Sequence, residues 1–310
     1  MSSIHILILN YNGLDLLQEC LPSVAEAARL SPVPTRVSVV DNASRDASRA
    51  WVAQALPQVG WIQRPDNTIL FAYNQVARDL DDEYLLLLNN DIKVAPDFIT
   101  PLLGALQAEP DAFAASPLWL DFDGVYNGGM HRCGRRLSLA WTGPGYPASE
   151  AESRRSGRTL YTGNGLFRRD KFLALGGFDP LFHPMGWEDA DLGARAWSRG
   201  WPTLYEPASL IHHKSSASIK RSYSVHRRAV LGFRNGALWL AANAPAAELW
   251  KALLLLPVTV PACLLTGRIA QVEGLARSLP RLPAALRRRR ALDDRSWWAE
   301  FSAAPRPQVS

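Results

Sequence analysis

Hydrophobic positions in the first ninety residues fall into short β-rich runs separated by stretches of helical period. Ile4-His5-Ile6-Leu7-Ile8-Leu9 is the first run, and it stops at the turn signal Asn10-Tyr11-Asn12-Gly13. Leu14, Leu17, Cys20, Leu21, Val24 and Ala28 then recur at helical spacing. Arg36 to Val40 reads as a second strand, ending at Asp41-Asn42-Ala43-Ser44-Arg45-Asp46, where a second helix can start. Gly60 to Gln63 is a weak third strand, and Tyr84 to Leu88 is a fourth, almost purely apolar, as a strand buried on both faces should be. Strands alternating with helices imply crossovers and an α/β fold with a mixed, largely parallel sheet flanked by helices.

That topology says where chemistry can sit, because ligands in open α/β sheets bind outside the carboxyl ends of the strands. Here the first strand ends in Asn10-Tyr11-Asn12, the second in Asp41-Asn42, and the fourth in Asn89-Asn90-Asp91. Short polar side chains make turns on their own account. Three strand ends carrying them along one edge point to a polar ligand.

Farther along, residues 110–165 are rich in Gly, Pro and aromatics and read as short strands and long loops, with Glu150 to Arg158 a mobile surface loop. Thr159 to Phe167 reads as strand-like and contains Gly163. Glu188 to Arg199 reads as a helix closed by Gly200, with Glu188 and Asp189 in its first turn, where the N-terminal dipole favours carboxylates. Asp191 and Arg195 sit at i, i+4 and are expected to pair on the surface. Ala208 to Ser215 is a strand-like run that includes the paired imidazoles His212-His213.

Composition changes this picture in one place. The chain has 310 residues with 34 Lys+Arg against 29 Asp+Glu, an ordinary globular balance at 47% hydrophobic and 20% charged that excludes a disordered chain. Residues 1–250 hold 24 basic and 25 acidic residues, whereas residues 251–310 hold 10 and 4, so the excess charge belongs to the C-terminal segment. Three cysteines, over a hundred residues apart, are neither a disulfide framework nor a zinc spacing and suit a reducing compartment. The first residues carry no basic n-region, and a six-residue apolar run is too short for a signal peptide, so a cytoplasmic location is expected.

Taken in order, Asn10-Tyr11-Asn12-Gly13, Asp41-Asn42-Ala43-Ser44, Leu88-Asn89-Asn90-Asp91, Gly176-Gly177-Phe178-Asp179, Trp187-Glu188-Asp189 and His212-His213 resemble the family 2 glycosyltransferases of GT-A (Rossmann-like) fold. The resemblance is strongest to bacterial rhamnosyltransferase-type and galactofuranosyltransferase-type members and covers about residues 3–215. It implies a nucleoside-diphosphate-sugar donor, dTDP-L-rhamnose or a UDP-sugar, and a divalent metal, Mg²⁺ or Mn²⁺. It also implies inverting transfer to a glycan or lipid-linked acceptor in cell-envelope polysaccharide synthesis. Asp41 matches the carboxylate facing nucleobase and ribose, with Asn10, Tyr11, Asn12, Asn42, Asn74 and Asn90 on the nucleotide-sugar side. Asp91 matches the metal ligand and His212 a second one, with the adjacent His213 left open. Asp189 matches the catalytic base, Glu188 a residue orienting it, and Trp187 and Gly163 the acceptor side. Two departures stand out: Asn89 and Asn90 are amides where carboxylates are frequent, and Leu70 stands at a customary glycine.

The implied organisation is a catalytic domain over 1–220, its nucleotide-sugar half about 1–115 and its acceptor half about 116–220, followed by a helical, basic extension over 221–310. Ala252 to Leu265 is apolar but shorter than the roughly 20 residues of a spanning helix and is interrupted by Pro257 and Pro261. A buried helix packed on the domain is one reading. With Arg287-Arg288-Arg289-Arg290 and Trp297-Trp298, the segment also reads as a peripheral attachment, through residues about 250–298, to the anionic inner face of a cell membrane. A single basic tract with no nucleic-acid module before it argues against nucleic acid. A nicotinamide-dependent oxidoreductase is excluded because no G-x-G-x-x-G follows the first strand. The rival from another class is a non-catalytic scaffold of the same shape at the membrane.

Overall fold

The computed structural model describes residues 2–145, 149–214, 223–289 and 294–302. The chain runs β1 (Ile4–Asn10), α1 (Leu14–Arg29), β2 (Thr35–Asp41), α2 (Ser48–Ala55), β3 (Gly60–Gln63), α3 (Ala72–Val76), β4 (Tyr84–Asn89), β5 (Ile92–Val94) and α4 (Ile99–Ala108). Next come β6 (Ala114–Leu120), β7 (Tyr126–Gly128), β8 (His131–Arg136), β9 (Leu139–Pro144), α5 (Glu150–Ser153), β10 (Gly157–Thr159), β11 (Gly165–Arg168), α6 (Arg169–Ala174), α7 (Glu188–Trp197) and β12 (Thr203–His213). Helices then follow one another: α8 (Val225–Asn243), α9 (Ala246–Leu254), α10 (Leu256–Leu265), α11 (Ile269–Ser278), α12 (Leu282–Arg289) and α13 (Trp297–Phe301).

One mixed sheet organises the body, in the order β10-β12-β6-β11-β4-β1-β2-β3, with β5 added on β12 and β7 on β6. The block β3-β2-β1-β4 is parallel, β11 lies antiparallel between β4 and β6, and β6 pairs parallel with β12. β4 is central, and Leu85, Leu86 and Leu87 are fully buried because helices cover both faces. On α1, Leu17, Cys20, Leu21 and Val24 form the buried stripe that the spacing predicts. Register aligns Asn10 with Asp41 and Leu9 with Asn89, so the three polar strand ends share one edge.

Several boundaries differ from the sequence expectation. α2 begins at Ser48 because Asp46 is spent before it, accepting from the backbone N–H groups of Leu14 and Ser48. Thr159 to Phe167 splits into β10 and β11, which pair with different strands. Glu150 to Arg158 holds the short helix α5 and the start of β10 rather than a plain loop. Asp191 and Arg195 do pair, at 2.7 Å, but Asp191 is fully buried rather than at the surface.

The C-terminal helices share a core with the body: Trp239, Trp297, Trp298 and Phe301 pack with Leu160, Phe182, Ala190 and Trp197. Trp297 and Trp298 are therefore interior residues, 3% and 6% exposed, and not a membrane anchor. Of the arginine run, Arg290 lies outside the described residues, and two of the other three turn inward. Arg288 bonds Asp179 and Asp191, and Arg289 bonds the Ala241 and Ala244 carbonyls. Ala252 to Leu265 is likewise no buried helix: it is two helices bent by 52°, with only Ala252, Thr259 and Cys263 buried. Among the described residues no single helix is long and apolar enough to cross a membrane.

Candidate active site

A cavity of about 570 Å³ opens at the carboxyl edge of β1, β2 and β4, within the size range of small-ligand sites. Its donor end is built by side chains locking one another. Asn90 Nδ2 donates to Asn10 Oδ1 at 2.8 Å, and Asn10 Nδ2 donates to Asp41 Oδ1 at 3.1 Å. Gly13 makes this possible, since a Cβ there would lie 2.2 Å from Asn90 Nδ2. Asp41 itself is buried and accepts from Asn10, from the Ser44 hydroxyl and backbone, and from Gln63 Nε2. Those four donors fill its lone pairs. Asp41 thus organises the loop, and Asn10 and Asn42, not Asp41, form the cavity wall.

Asn42 donates to the Ile69 carbonyl at 3.0 Å, while its Oδ1 is buried without a partner among the described residues. Trp119 Nε1 and Glu188 Oε2, also on the lining, are in the same condition. Buried polar atoms are nearly always bonded, so an unpaired donor and acceptors around one cavity mark where a polar ligand belongs. The loops here are strained as well. Asn12, Ala43, Ile69 and Trp187 have φ of 48°, 62°, 53° and 76°, values costly for residues with a side chain.

Three residues assigned to ligand contacts by resemblance are used elsewhere. Asn74 clamps the backbone of Phe178, donating to its carbonyl and accepting from its N–H, both at 2.8 Å. Asn12 accepts from the Arg45 N–H and is not among the residues that line the cavity. Trp187 packs its ring 5.2 Å from that of Trp239 and donates to the Gly232 carbonyl, so it is a core side chain rather than an acceptor platform. Tyr11, Asn90 and Gly163 do line the cavity.

At the middle of the cavity Asp91 meets His213, with Oδ1 and Nε2 3.4 Å apart. His212 is the neighbour that turns away, its ring 6.4 Å from Phe122. Successive residues of a strand face opposite sides, so only one of the two imidazoles can reach Asp91, and it is His213. A carboxylate and an imidazole form a donor set suited to a divalent cation such as Mn²⁺.

Opposite lie Glu188 and Asp189, at the start of α7. Burial, then the neighbouring Asp189 carboxylate, pushes Glu188 well above the usual carboxylate range. Burial also raises Asp189, opposed by the backbone N–H groups of the first turn, including Ala190 at 2.7 Å from Oδ1. Both carboxyls are thus shifted toward the protonated form, Glu188 also by the charge of its neighbour. Gly163 faces this carboxylate: a Cβ there would come within 3.2 Å of Asp189 Oδ2.

The segment leading into α7 is held by the C-terminal helices. Asn235 on α8 donates to the carbonyls of Phe182, Met185 and Gly186, and Arg234 donates to that of His183. From the other side, Arg288 on α12 bridges Asp179 and Asp191. Sequence reasoning missed Arg234 and Asn235 and read Arg288 as lipid-facing, and it missed Trp119, Asn164, Tyr223 and Arg227 on the cavity wall. Of these only Asn164 had a local signal, its place between two glycines. The others come to the site from elements far away in the chain.

Comparison with known proteins agrees with this geometry. The sequence model described as glycosyl transferase family 2 matches residues 5–176, and one described as an N-terminal domain of galactosyltransferase matches residues 145–213. An N-acetylglucosaminyl-diphospho-decaprenol L-rhamnosyltransferase of Mycobacterium tuberculosis is 30% identical over 215 residues, covering 60% of this chain and 68% of the relative. Among solved structures, S. aureus TarS 1–349 superposes with a TM-score of 0.56 at 15% identity, covering 94% of this chain and 83% of that one. GalNAc-T7 with UDP, GalNAc and Mn²⁺ gives 0.58 at 17%, over 78% of this chain but only 48% of that one. PcManGT from Pyrobaculum calidifontis, with GDP-Man and Mn²⁺, gives 0.51 at 19%, over 92% and 86%. These structural likenesses establish a GT-A fold, and with the family match spanning residues 5–176 of 310 the chain belongs to glycosyl transferase family 2.

Proposed function

We propose that the protein is a metal-dependent, inverting glycosyltransferase. It takes a sugar from a nucleoside-diphosphate donor, dTDP-L-rhamnose or a UDP-sugar, to a lipid-linked or glycan acceptor in cell-envelope polysaccharide synthesis. The observation that carries this is the pairing, across one cavity, of an Asp91–His213 couple with a raised Glu188–Asp189 couple. The M. tuberculosis relative, named for L-rhamnose transfer to a lipid-linked sugar, supports both donor class and acceptor class.

In this reading Asn10, Asn42 and Asn90 bind the nucleotide end, and Trp119 Nε1 meets an oxygen of the ligand. Asp91 and His213 would hold a divalent cation, which would supply positive charge to offset that of a diphosphate. Asp189 takes the proton from the acceptor hydroxyl as that oxygen attacks the anomeric carbon, on the face opposite the diphosphate, and the configuration inverts. Glu188, raised by burial and by the adjacent charge, favours its protonated form, while the backbone N–H groups at Asp189 favour its ionised one. Arg227 at the cavity rim adds a positive charge beside the leaving group. General-base help of this kind is worth about 10²–10⁴-fold.

The test is a thermal-shift panel of UDP, dTDP, GDP and ADP with and without Mn²⁺. A ligand at 100 times its Kd stabilises by about 2.7 kcal/mol. A metal-dependent rise with one nucleotide, lost in Asp91→Ala, is the expected result; no rise with any of them would favour a non-catalytic scaffold.

A further inference from the structure

Among the described residues, six of the fourteen exposed large hydrophobic side chains lie together. Trp250, Leu253, Leu254, Val258, Leu264 and Leu265 all lie on the bent pair α9–α10, with exposures of 42% to 88%. On α9, Trp250, Leu253 and Leu254 follow i, i+3, i+4 and so form one outward ridge, and beyond the bend Pro257, Val258, Leu264 and Leu265 are exposed on α10. The inward side is narrow, reduced to Ala252, Thr259 and Cys263.

Polar ties fix that orientation. Ser138 Oγ donates to the Ala252 carbonyl at 2.6 Å, Thr259 Oγ1 donates to Ser138 Oγ at 2.9 Å, and Arg135 pairs with Glu248 at 3.1 Å. The hairpin β8–β9, which supplies Ser138 and Arg135, therefore holds the helices with their apolar side away from the body. Soluble monomers rarely expose contiguous apolar surface of this kind without a partner for it.

Charge selects the partner. Residues 246–289 contain seven Lys and Arg against two Glu; with Arg288 and Arg289 turned inward five basic residues remain, of which Lys251, paired with Glu248 at 2.7 Å, and Arg268 lie exposed beside the apolar side chains. Apolar side chains framed by cations complement an anionic lipid surface, into which the ridge sinks while the cations meet headgroups. We propose that α9–α10 is the docking surface of this protein on an anionic lipid bilayer, bound at the interface without spanning it. The footprint is smaller than the composition suggested, because Trp297, Trp298, Arg288 and Arg289 are committed to the interior. It is independent of the transferase reading, since no cavity residue belongs to it.

Co-sedimentation of the full chain with phosphatidylcholine vesicles, with and without phosphatidylglycerol, tests this. Binding is expected on the anionic vesicles only, weakening with salt. Leu254→Asp with Leu265→Asp should lower partition about tenfold or more, and Lys251→Glu with Arg268→Glu should do so on anionic vesicles. Leu254 and Leu265 are exposed, so the melting temperature of that variant should not move, and the nucleotide response should persist in both variants, which separates a failure here from a failure of the donor site. Three results would overturn the proposal. The first is undiminished pelleting of the Leu variant. The second is retention in the membrane after alkaline carbonate extraction. The third is a dimer in light scattering that the Leu variant dissociates, which would assign the ridge to a second copy.

Discussion

Arg288→Ala is a sharp test of how the C-terminal helices support the site. Arg288 lies on α12 with its side chain 16% exposed, and its guanidinium bonds Asp179 Oδ2 at 2.8 Å and Asp191 Oδ1. Asp191 is fully buried and two residues beyond Asp189; its remaining donors are Arg195 at 2.7 Å and Asn243 at 3.0 Å. Removing one partner of a buried ion pair costs about 3–5 kcal/mol. Because Arg195 stays, the lower end applies. At about 2–4 °C per kcal/mol, a loss of about 3 kcal/mol lowers the melting temperature by roughly 6–12 °C. Acid sensitivity follows from the same contacts. Burial pushes the Asp191 carboxyl up, but Arg288 and Arg195 override it and hold it below the usual range. A carboxyl depressed on folding stabilises above its unfolded pKa, and that stability is lost as pH falls through the folded value. Without Arg288 the folded value rises, so the acid-side loss begins at higher pH. Calorimetry of wild type, Arg288→Ala and Arg288→Lys at pH 7 and pH 5 reads both effects. Lys keeps one charge but not the planar fork that reaches two carboxylates, so it should fall between the others. A melting temperature within 1 °C of wild type at both pH values would refute the network's role.

Three further outcomes follow from the site. Gly163→Ala places a Cβ 3.2 Å from Asp189 Oδ2 and should reduce kcat about tenfold while nucleotide-induced stabilisation persists; an unchanged kcat would mean the carboxylate simply moves aside. His213→Ala should abolish the Mn²⁺-dependent part of the nucleotide response and His212→Ala should not; the reverse pattern would overturn the assignment. Activity should fall as pH drops below neutrality, with an apparent pKa well above the ordinary carboxylate range, since Asp189 must be ionised and burial raises it. A profile flat down to pH 5 would remove Asp189 from the role of base.

The parallel block and its edge were legible because buried parallel strands are continuous apolar runs and end in the residues that make turns. Tyr84–Asn89 and Ile4–Asn10 needed no tertiary information. The choice between His212 and His213 did, because β12 shifts register between Glu206 and Leu210, and the shift resets which residues face the cavity. Asp41 misled for a related reason. Its carboxylate at a strand end looks available in sequence, yet Ser44 and Gln63 saturate it. The arginines misled most. Arg288 finds Asp179 and Asp191 about a hundred residues away, so an apparent lipid-facing run is in part an interior ion-pair network. Only the apolar stretch between Lys251 and Arg268 kept the exposed character its composition suggested, and it did so as two bent helices.

Sugar transfer by Asp189→Asn, with the donor whose nucleotide stabilises the wild type, tests the central claim most directly. The account predicts a rate lowered by about 10²–10⁴-fold with the metal-dependent nucleotide shift intact. Transfer within threefold of wild type would contradict it.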